Sequence, residues 1–382
     1  MKILFLSRVP FEAFYLKNYV DNENSFILTD ERFFNEYTLN EFDNTICFDN
    51  YPENKNVLKK AINIIEEHKI DSIYSLEESD IERAALLRRI YGMKGQNIES
   101  ALLYRDKYFM KKVLESIVSL PHFEAVDNKI NFLNFLKIHD FPVVLKPRKG
   151  WSSNKTYKIS SLEDVEEIQN FSNCIVEKWV TNATMYTVDG IQENGLLKWF
   201  AIHEYDQNIL ESLSNGSGGY SMMTSEKMQD KEYVRKVKEY TEKIIKKLNN
   251  GESFTSSFHL EFFENDKGEF IFCEIASRVG GGKTIELIKL AYGVDLAQIL
   301  YDLTIEKPVN FHALNNVPKK YAACVKKYKT NKMQTLKNSW IISAKETLRT
   351  NNSKPVNTND TEGVYVIESE NFEDCKEKVR YF

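Results

Sequence analysis

Residues 258–278, FHLEFF-ENDKGE-FIFCEIASR, constrain the fold of this chain more than any other stretch. Apolar residues run on both sides of the turn signal Asn265-Asp266-Lys267-Gly268, the pattern of two antiparallel strands joined by a short loop. Successive side chains of a strand point to opposite faces, so His259, Glu261 and Phe263 share one face of the first strand. Phe270, Phe272 and Glu274 share a face of the second. With Phe263 opposite Phe270, Glu261 faces Phe272 and Glu274 lies diagonally beside it. A two-residue shift of register sets the two carboxylates directly opposite each other. Like charges so placed repel unless a cation joins them. Such a pair suits Mg²⁺, which takes its remaining ligands from phosphate and water. A pair turned to solvent on a half-exposed sheet is the other reading of the same pattern.

Glycine is scarce, at 15 of 382 residues, so its clustering is informative. Three glycines fall at Gly216, Gly218 and Gly219, inside a Ser- and Gly-rich loop over 212–219 that reads as a lid. Three more, Gly280, Gly281 and Gly282, follow Arg278 and open a helix. Free N–H groups at a helix start attract anions, and arginine adds a planar donor fork. Gly282-Lys283-Thr284 approaches the phosphate-loop pattern GxxxxGK[ST], but Ser277 stands where its first glycine belongs. A glycine-rich helix entry without a ligand also stays open.

Upstream, Lys146 ends the apolar strand 143–146 just before the polar loop 147–155. A lysine there needs an anion or a path to solvent, because burying an unpaired ammonium is costly. A phosphate would serve, with Ser152, Ser153 and the loop amides as further donors. Lys107, in RDKYFMKK, is a second basic candidate. The apolar strand running into Glu177-Lys178-Trp179-Val180 offers a wall and a backbone edge to a planar base.

At roughly 150 residues per domain, the chain has room for two or three domains. Strands at 2–6, 25–28, 44–48 and 71–75 alternate with helices at 11–20, 56–68 and 78–91, predicting a parallel α/β layer that ends near Gly92–Gly95. No GxGxxG follows the first strand. Then come a helix over 100–116, a strand near Tyr157, a helix at 162–169, a strand at 174–180 and a hairpin over 184–206. A helix at 231–248 precedes the 258–278 segment. Helices at 283–291 and 294–303 follow it, and then a small α/β tail with a strand at 364–367. The net charge of −5 argues against bulk binding to nucleic acid or to an anionic membrane. Five scattered cysteines, with no CxxC pair, argue against a zinc ribbon or a disulfide framework and suit a reducing, cytoplasmic location. The apolar run at the N-terminus is too short for a secretory signal, and no stretch approaches 18 apolar residues.

In this order and spacing the features resemble the ATP-grasp superfamily over about residues 100–305. Asp106-Lys107, Lys146-Pro147, Glu177-Lys178-Trp179-Val180, His259-x-Glu261 and Glu274-Ile-Ala-Ser-Arg278-x-Gly280-Gly281 carry the resemblance, together with Tyr292-Gly293-Val294-Asp295-Leu296. The nearest look is to carboxylate–amine ligases of the L-amino-acid-ligase and carbamoyl-phosphate-synthetase-like type. The resemblance implies an α/β and α+β fold: an N-terminal pre-ATP-grasp α/β domain over 1–96, a small ATP-grasp subdomain over 97–180, and a large subdomain with the metal and phosphate site over 181–308. A small C-terminal α/β domain over 309–382 completes it. ATP would lie between the two α+β subdomains. Lys107, Lys146 and Ser153 would meet the phosphates, while Glu177, Lys178, Trp179 and Val180 would line the adenine. Glu261 and Glu274 would hold Mg²⁺, and Arg278, with Glu274, would serve the transferred phosphoryl group. His259, Gly280 and Gly281 would border the substrate, although a packed structural histidine is the simpler reading of His259.

The implied activity joins an amino-acid-like carboxylate, activated as an acyl-phosphate, to an amine, releasing ADP and phosphate. A carboxylate–thiol ligase loading a carrier protein, and a nucleotide-binding module with weakened catalysis, are the alternatives; a homodimer stays open. Three positions depart from the family pattern. The loop 147–155 holds only Gly150, Ala276 stands where an asparagine is common, and the ribose-binding acid expected near residue 184 or 185 is replaced by Thr184 and Met185. Asp189 is the substitute acid to test.

Overall fold

The computed structural model describes residues 1–215, 218–329, 338–347, 355 and 357–382. Gly216 and part of the expected lid lie outside the described residues. Among the described residues, sixteen strands fall into three sheets.

The first sheet contains β1 (Ile3–Ser7), β2 (Ser25–Asp30), β3 (Thr45–Phe48) and β4 (Ser72–Ser75), in the order β3-β2-β1-β4 with every neighbour parallel. β1 and β2 are buried along their whole length, which is why they read as near-continuous apolar runs. The helix Asn56–His68 presents Val57, Ala61, Ile64 and Ile65 to this sheet's core. The carboxyl ends of β1 and β4 bring Arg8, Glu77 and Glu78 to one edge, the edge where ligands of open parallel sheets gather. The expected helix over 11–20 is instead two 3-10 turns, Phe11–Phe14 and Leu16–Asn18, parted by Tyr15 in the left-handed region at φ 52°.

The expected helix over 100–116 is also broken, into Ile98–Arg105 and Lys107–Leu114. Asp106 breaks it. Its backbone is extended, and its carboxylate accepts from the N–H groups of Tyr108 and Phe109, capping the second helix. Arg148 locks that carboxylate in place at 2.7 Å. Lys107 thus becomes the first residue of a helix aimed at the cleft.

The second sheet is β5 (Phe123–Val126), β6 (Val143–Pro147), β7 (Tyr157–Ile159) and β8 (Cys174–Lys178), in the antiparallel order β5-β8-β6-β7. β8 stops at Lys178, two residues short of the expected 180. β5 and the helix Lys129–His139 were not signalled by the sequence pattern.

The third sheet holds eight antiparallel strands: β9 (Ala183–Glu193), β10 (Leu196–Tyr205), β11 (Gly219–Thr224), β12 (Ser256–Asn265), β13 (Phe270–Ala276), β14 (Tyr321–Lys327), β15 (Ile341–Glu346) and β16 (Gly363–Ser369). Their order is β13-β12-β9-β10-β11-β14-β16-β15. The tail therefore adds three strands to this sheet rather than building one of its own, and its helix Phe372–Arg380 packs on them through Phe372, Cys375 and Val379. The helix Lys231–Leu248 covers the other end of the sheet with Val237, Ile244, Ile245 and Leu248. One apolar core joins this sheet to the first, sealed by the Tyr74 hydroxyl donating to the Ala297 carbonyl at 2.7 Å.

Candidate active site

The register of β12 and β13 decides the geometry of the site. Glu261 lies directly opposite Glu274, and Phe262 opposite Phe272, so Cys273 is an extra residue on β13. Phe263 consequently faces Ile271 rather than Phe270. A bulge of this kind turns two successive side chains toward one face. Glu261, Cys273 and Glu274 can thereby bring donor atoms within 4.8 Å of one another.

Three lysines surround the carboxylates. Lys107 Nζ lies 3.5 Å from Glu274 Oε2, and Lys146 Nζ lies 3.7 Å from the same oxygen and 3.1 Å from Glu177 Oε1. Lys111, one helical turn after Lys107, is fully buried; it lies 3.5 Å from Glu177 Oε1 and donates to the Cys273 carbonyl at 2.8 Å. Burial alone would neutralise Glu274. The charges of Lys107, Lys146, Lys111 and Arg278 outweigh it and hold the carboxyl well below its usual range. Burial likewise works against the Lys146 ammonium, but Glu177 and Glu274 hold its pKa above the usual lysine value. Lys111 shows the opposite balance: burial prevails over Glu177 and its pKa falls. The Cys273 thiol is pushed up to about 12 by burial, so it stays protonated. Two carboxylate side chains beside these cations fit a hard ion such as Mg²⁺; a protonated, soft sulfur does not.

Arg278 reaches the cleft from the loop after β13, tied to the turn that follows β4. Its Nε donates to Glu78 Oε2 at 2.6 Å, and a terminal nitrogen donates to the Val279 carbonyl at 2.6 Å. Glu78 also pairs with Arg105, so one buried carboxylate orients two guanidinium groups. Burial would raise the Glu78 pKa, but Arg278 and Arg105 bring it down. Gly281 and Gly282 line the cleft, whereas Gly280 is buried beneath it. A Cβ on Gly280 would meet Asp189 Oδ1 at 2.4 Å, so close packing dictates glycine there.

His259 does border the cleft, but a buried carboxylate holds it. Its Nδ1 lies 2.8 Å from Asp189 Oδ1 and its Nε2 3.3 Å from Glu261 Oε1. Burial alone would keep the imidazole neutral; Asp189 and Glu261 overcome this and raise its pKa to about 10. Asp189 is fully buried and held far below the normal range by His259 and His203 against its own desolvation. It therefore faces the histidines and does not replace the missing ribose acid.

The remaining expected residues line the same cleft. Glu177, Lys178, Trp179 and Val180 form one wall, with Val144, Met185 and Phe263 adding apolar surface. The N–H groups of Lys178 and Trp179 are taken by the carbonyls of His122 and Pro142, and the Lys178 ammonium turns to the carbonyls of Asp140 and Phe141. Lys158 caps the Trp179 ring at 4.4 Å. Ser153 sits in the loop 147–155, where Ser152, Ser153 and Lys155 all take positive φ values of 53–54°. Side-chain-bearing residues thus occupy the conformation that glycine usually supplies. The C-terminal segment holds this loop: Thr358 N–H and Oγ1 both donate to the Ser152 carbonyl at 3.2 Å.

Lys111, Cys273, Glu78 and Lys326 were not singled out by the sequence. Lys111 had a signal, since i and i+4 share a helix face and Lys107 was already marked. Cys273 and Glu78 had none without the bulge and the packing of the first sheet against the cleft.

No family model matches the chain. An L-arginine-specific L-amino acid ligase of Bacillus subtilis is 22% identical over 262 residues, a match covering 65% of this chain and 61% of that protein, so the chain spans about three fifths of this relative. Solved structures align over the whole chain. An L-amino acid ligase from Bacillus licheniformis gives a TM-score of 0.75 at 14% identity, covering 100% of this chain and 96% of that one. The biotin carboxylase domain of Hydrogenobacter thermophilus 2-oxoglutarate carboxylase, solved with MgADP and bicarbonate, gives 0.69 at 13% identity, covering 100% and 89%. The chain has the ATP-grasp fold, and it is similar in sequence and structure to ATP-grasp carboxylate–amine ligases.

Proposed function

We propose that this ATP-grasp chain is an ADP-forming ligase that activates an amino-acid-like carboxylate and joins it to an amine. The observation that carries the reading is the convergence of Lys107, Lys146, Glu261, Glu274 and Arg278 on one cleft, with the two glutamates directly opposed. The similar proteins are ligases and a carboxylase, and one was solved with MgADP.

Lys107 and Lys146 would bind the phosphates of ATP, and the wall from Glu177 to Val180 would hold the base. Glu261 and Glu274 would hold Mg²⁺, which when bound neutralises phosphate charge. A substrate carboxylate oxygen attacks the γ-phosphorus while the bond to the β-phosphate oxygen breaks, giving acyl-phosphate and ADP. Arg278, oriented by Glu78, keeps two anions together during this transfer. The amine then attacks the acyl carbon, phosphate leaves, and the nitrogen loses a proton to give the amide. Catalysis here is positioning and electrostatics, the usual economy of phosphoryl transfer.

The test is ADP and phosphate release from Mg-ATP with pooled amino acids, followed by mass measurement of the product. Amide formation with stoichiometric ADP is expected. Absence of ADP with every acid and amine would sink the reading.

A further inference from the structure

Lys326 has no part in the chemistry above. It stands on β14, paired with Tyr220 of β11 on one side and Val364 of β16 on the other. With Tyr220, Met222 and Cys324 it faces the cleft that holds Glu261, Glu274 and Arg278. Its side chain is buried, and it differs in one respect from Lys107, Lys111 and Lys146. Lys107, Lys111 and Lys146 each have a carboxylate within 3.7 Å. Among the described residues, the Lys326 ammonium meets the Thr358 carbonyl at 3.4 Å, the Tyr220 hydroxyl and, at 5.6 Å, the Tyr220 ring, and no carboxylate.

An ammonium buried without an anion is unfavourable unless a ligand supplies one. The lack of a side chain at Gly282 leaves room beside it: a Cβ there would lie 3.3 Å from Lys326 Nζ. Leading to it, Tyr205, Met222 and Cys324 form a row across three neighbouring strands, a largely apolar floor. A carbon skeleton can lie along that floor with its charged end at the lysine.

We propose that Lys326 anchors a substrate carboxylate other than the one being activated. Two sources share this chemistry: the side chain of a dicarboxylate donor and the free α-carboxylate of an amino-acid acceptor. That assignment of source rests on the ligase reading, whereas the carboxylate site itself does not.

Calorimetric titration of the full-length protein separates these points. One arm compares L-aspartate and L-glutamate with L-asparagine and L-glutamine; the other compares a panel of L-amino acids with their α-amides. At least tenfold tighter binding of the carboxylate form is expected in one arm, which names the source. Lys326→Met should erase that preference and Lys326→Arg should retain most of it. Lys326→Met should also melt no lower than the parent, since it removes an unpaired buried charge. Equal binding of acid and amide in both arms, a preference that survives Lys326→Met, or a large drop in its melting temperature each overturns the proposal. Phosphate release keeps the two readings apart. If no pair of substrates releases phosphate while the binding preference holds, the ligase reading falls and the carboxylate site stands. If Lys326→Met turns over with unchanged KM for both substrates, the site falls and the ligase stands.

Discussion

Glu274 meets Lys107 and Lys146 through a single oxygen and faces Glu261 across the strands, so its charge balances the whole cleft. Glu274→Gln keeps the shape and removes the charge. It should lower kcat by roughly 10²–10³-fold or more while the circular dichroism and melting curve stay near those of the parent. Turnover close to normal would remove Glu274 from the metal site. Lys146→Ala leaves Glu177 paired with Lys111 and should raise the apparent KM for ATP by about tenfold or more, the loss of one charge-assisted hydrogen bond. An unchanged KM would count against phosphate contact. His259 and Asp189 make a prediction about pH. The His259 pKa is raised above its ordinary 6.5 to about 10, so its contribution is complete below pH 6.5 and disappears as pH rises through 10. Asp189 is depressed, so its contribution is present above about pH 3.8 and disappears only as pH falls through its lowered value. Melting temperature should therefore decline between pH 6.5 and 10 in the parent, and Asp189→Asn should start several degrees lower with a flatter profile. Parallel profiles would refute the coupling.

At the level of elements, the two strands over 258–278 were legible because alternation and a turn signal are local. The bulge at Cys273 was not, since one extra residue leaves no mark on the alternation of either strand, yet it is what sets Glu261 against Glu274. The two lysines at 107 and 146 were legible by type, but the break at Asp106 that aims Lys107 depends on Arg148, 42 residues away. The loop 147–155 shows the same division. Its poverty in glycine was plain, whereas its three left-handed residues and its anchorage to Thr358 belong to tertiary structure. Anchorage gives a prediction: Thr358→Ala should speed amide hydrogen exchange across 147–155, and Mg-ATP should slow it again. Exchange rates indifferent to both changes would mean that neither Thr358 nor nucleotide restrains the loop.

Across the whole molecule, the N-terminal α/β layer was legible from strand–helix alternation, and the placement of the tail was not. Nothing in the tail's own composition tells that its strands continue a sheet begun at residue 183. A chain ending at residue 308 would leave β11 as a sheet edge and uncover Met222 and Met223, which now pack against the tail. It should fail to give a cooperative melting transition or should aggregate; a monomer that melts cooperatively would make 309–382 a separable domain. The Glu78 link extends the same interdependence to the other end of the chain, because a carboxylate from the first 96 residues orients Arg278.

The position of β16 has a consequence for how the protein is made. β16 lies inside the sheet, between β14 and β15, and β11 must wait for β14, about 100 residues further along the chain. At a synthesis rate of about 5–20 residues per second, that strand stays unpaired on one side for roughly 5–20 s on the ribosome. Until β14 arrives, the open edge of β11 can pair with another chain.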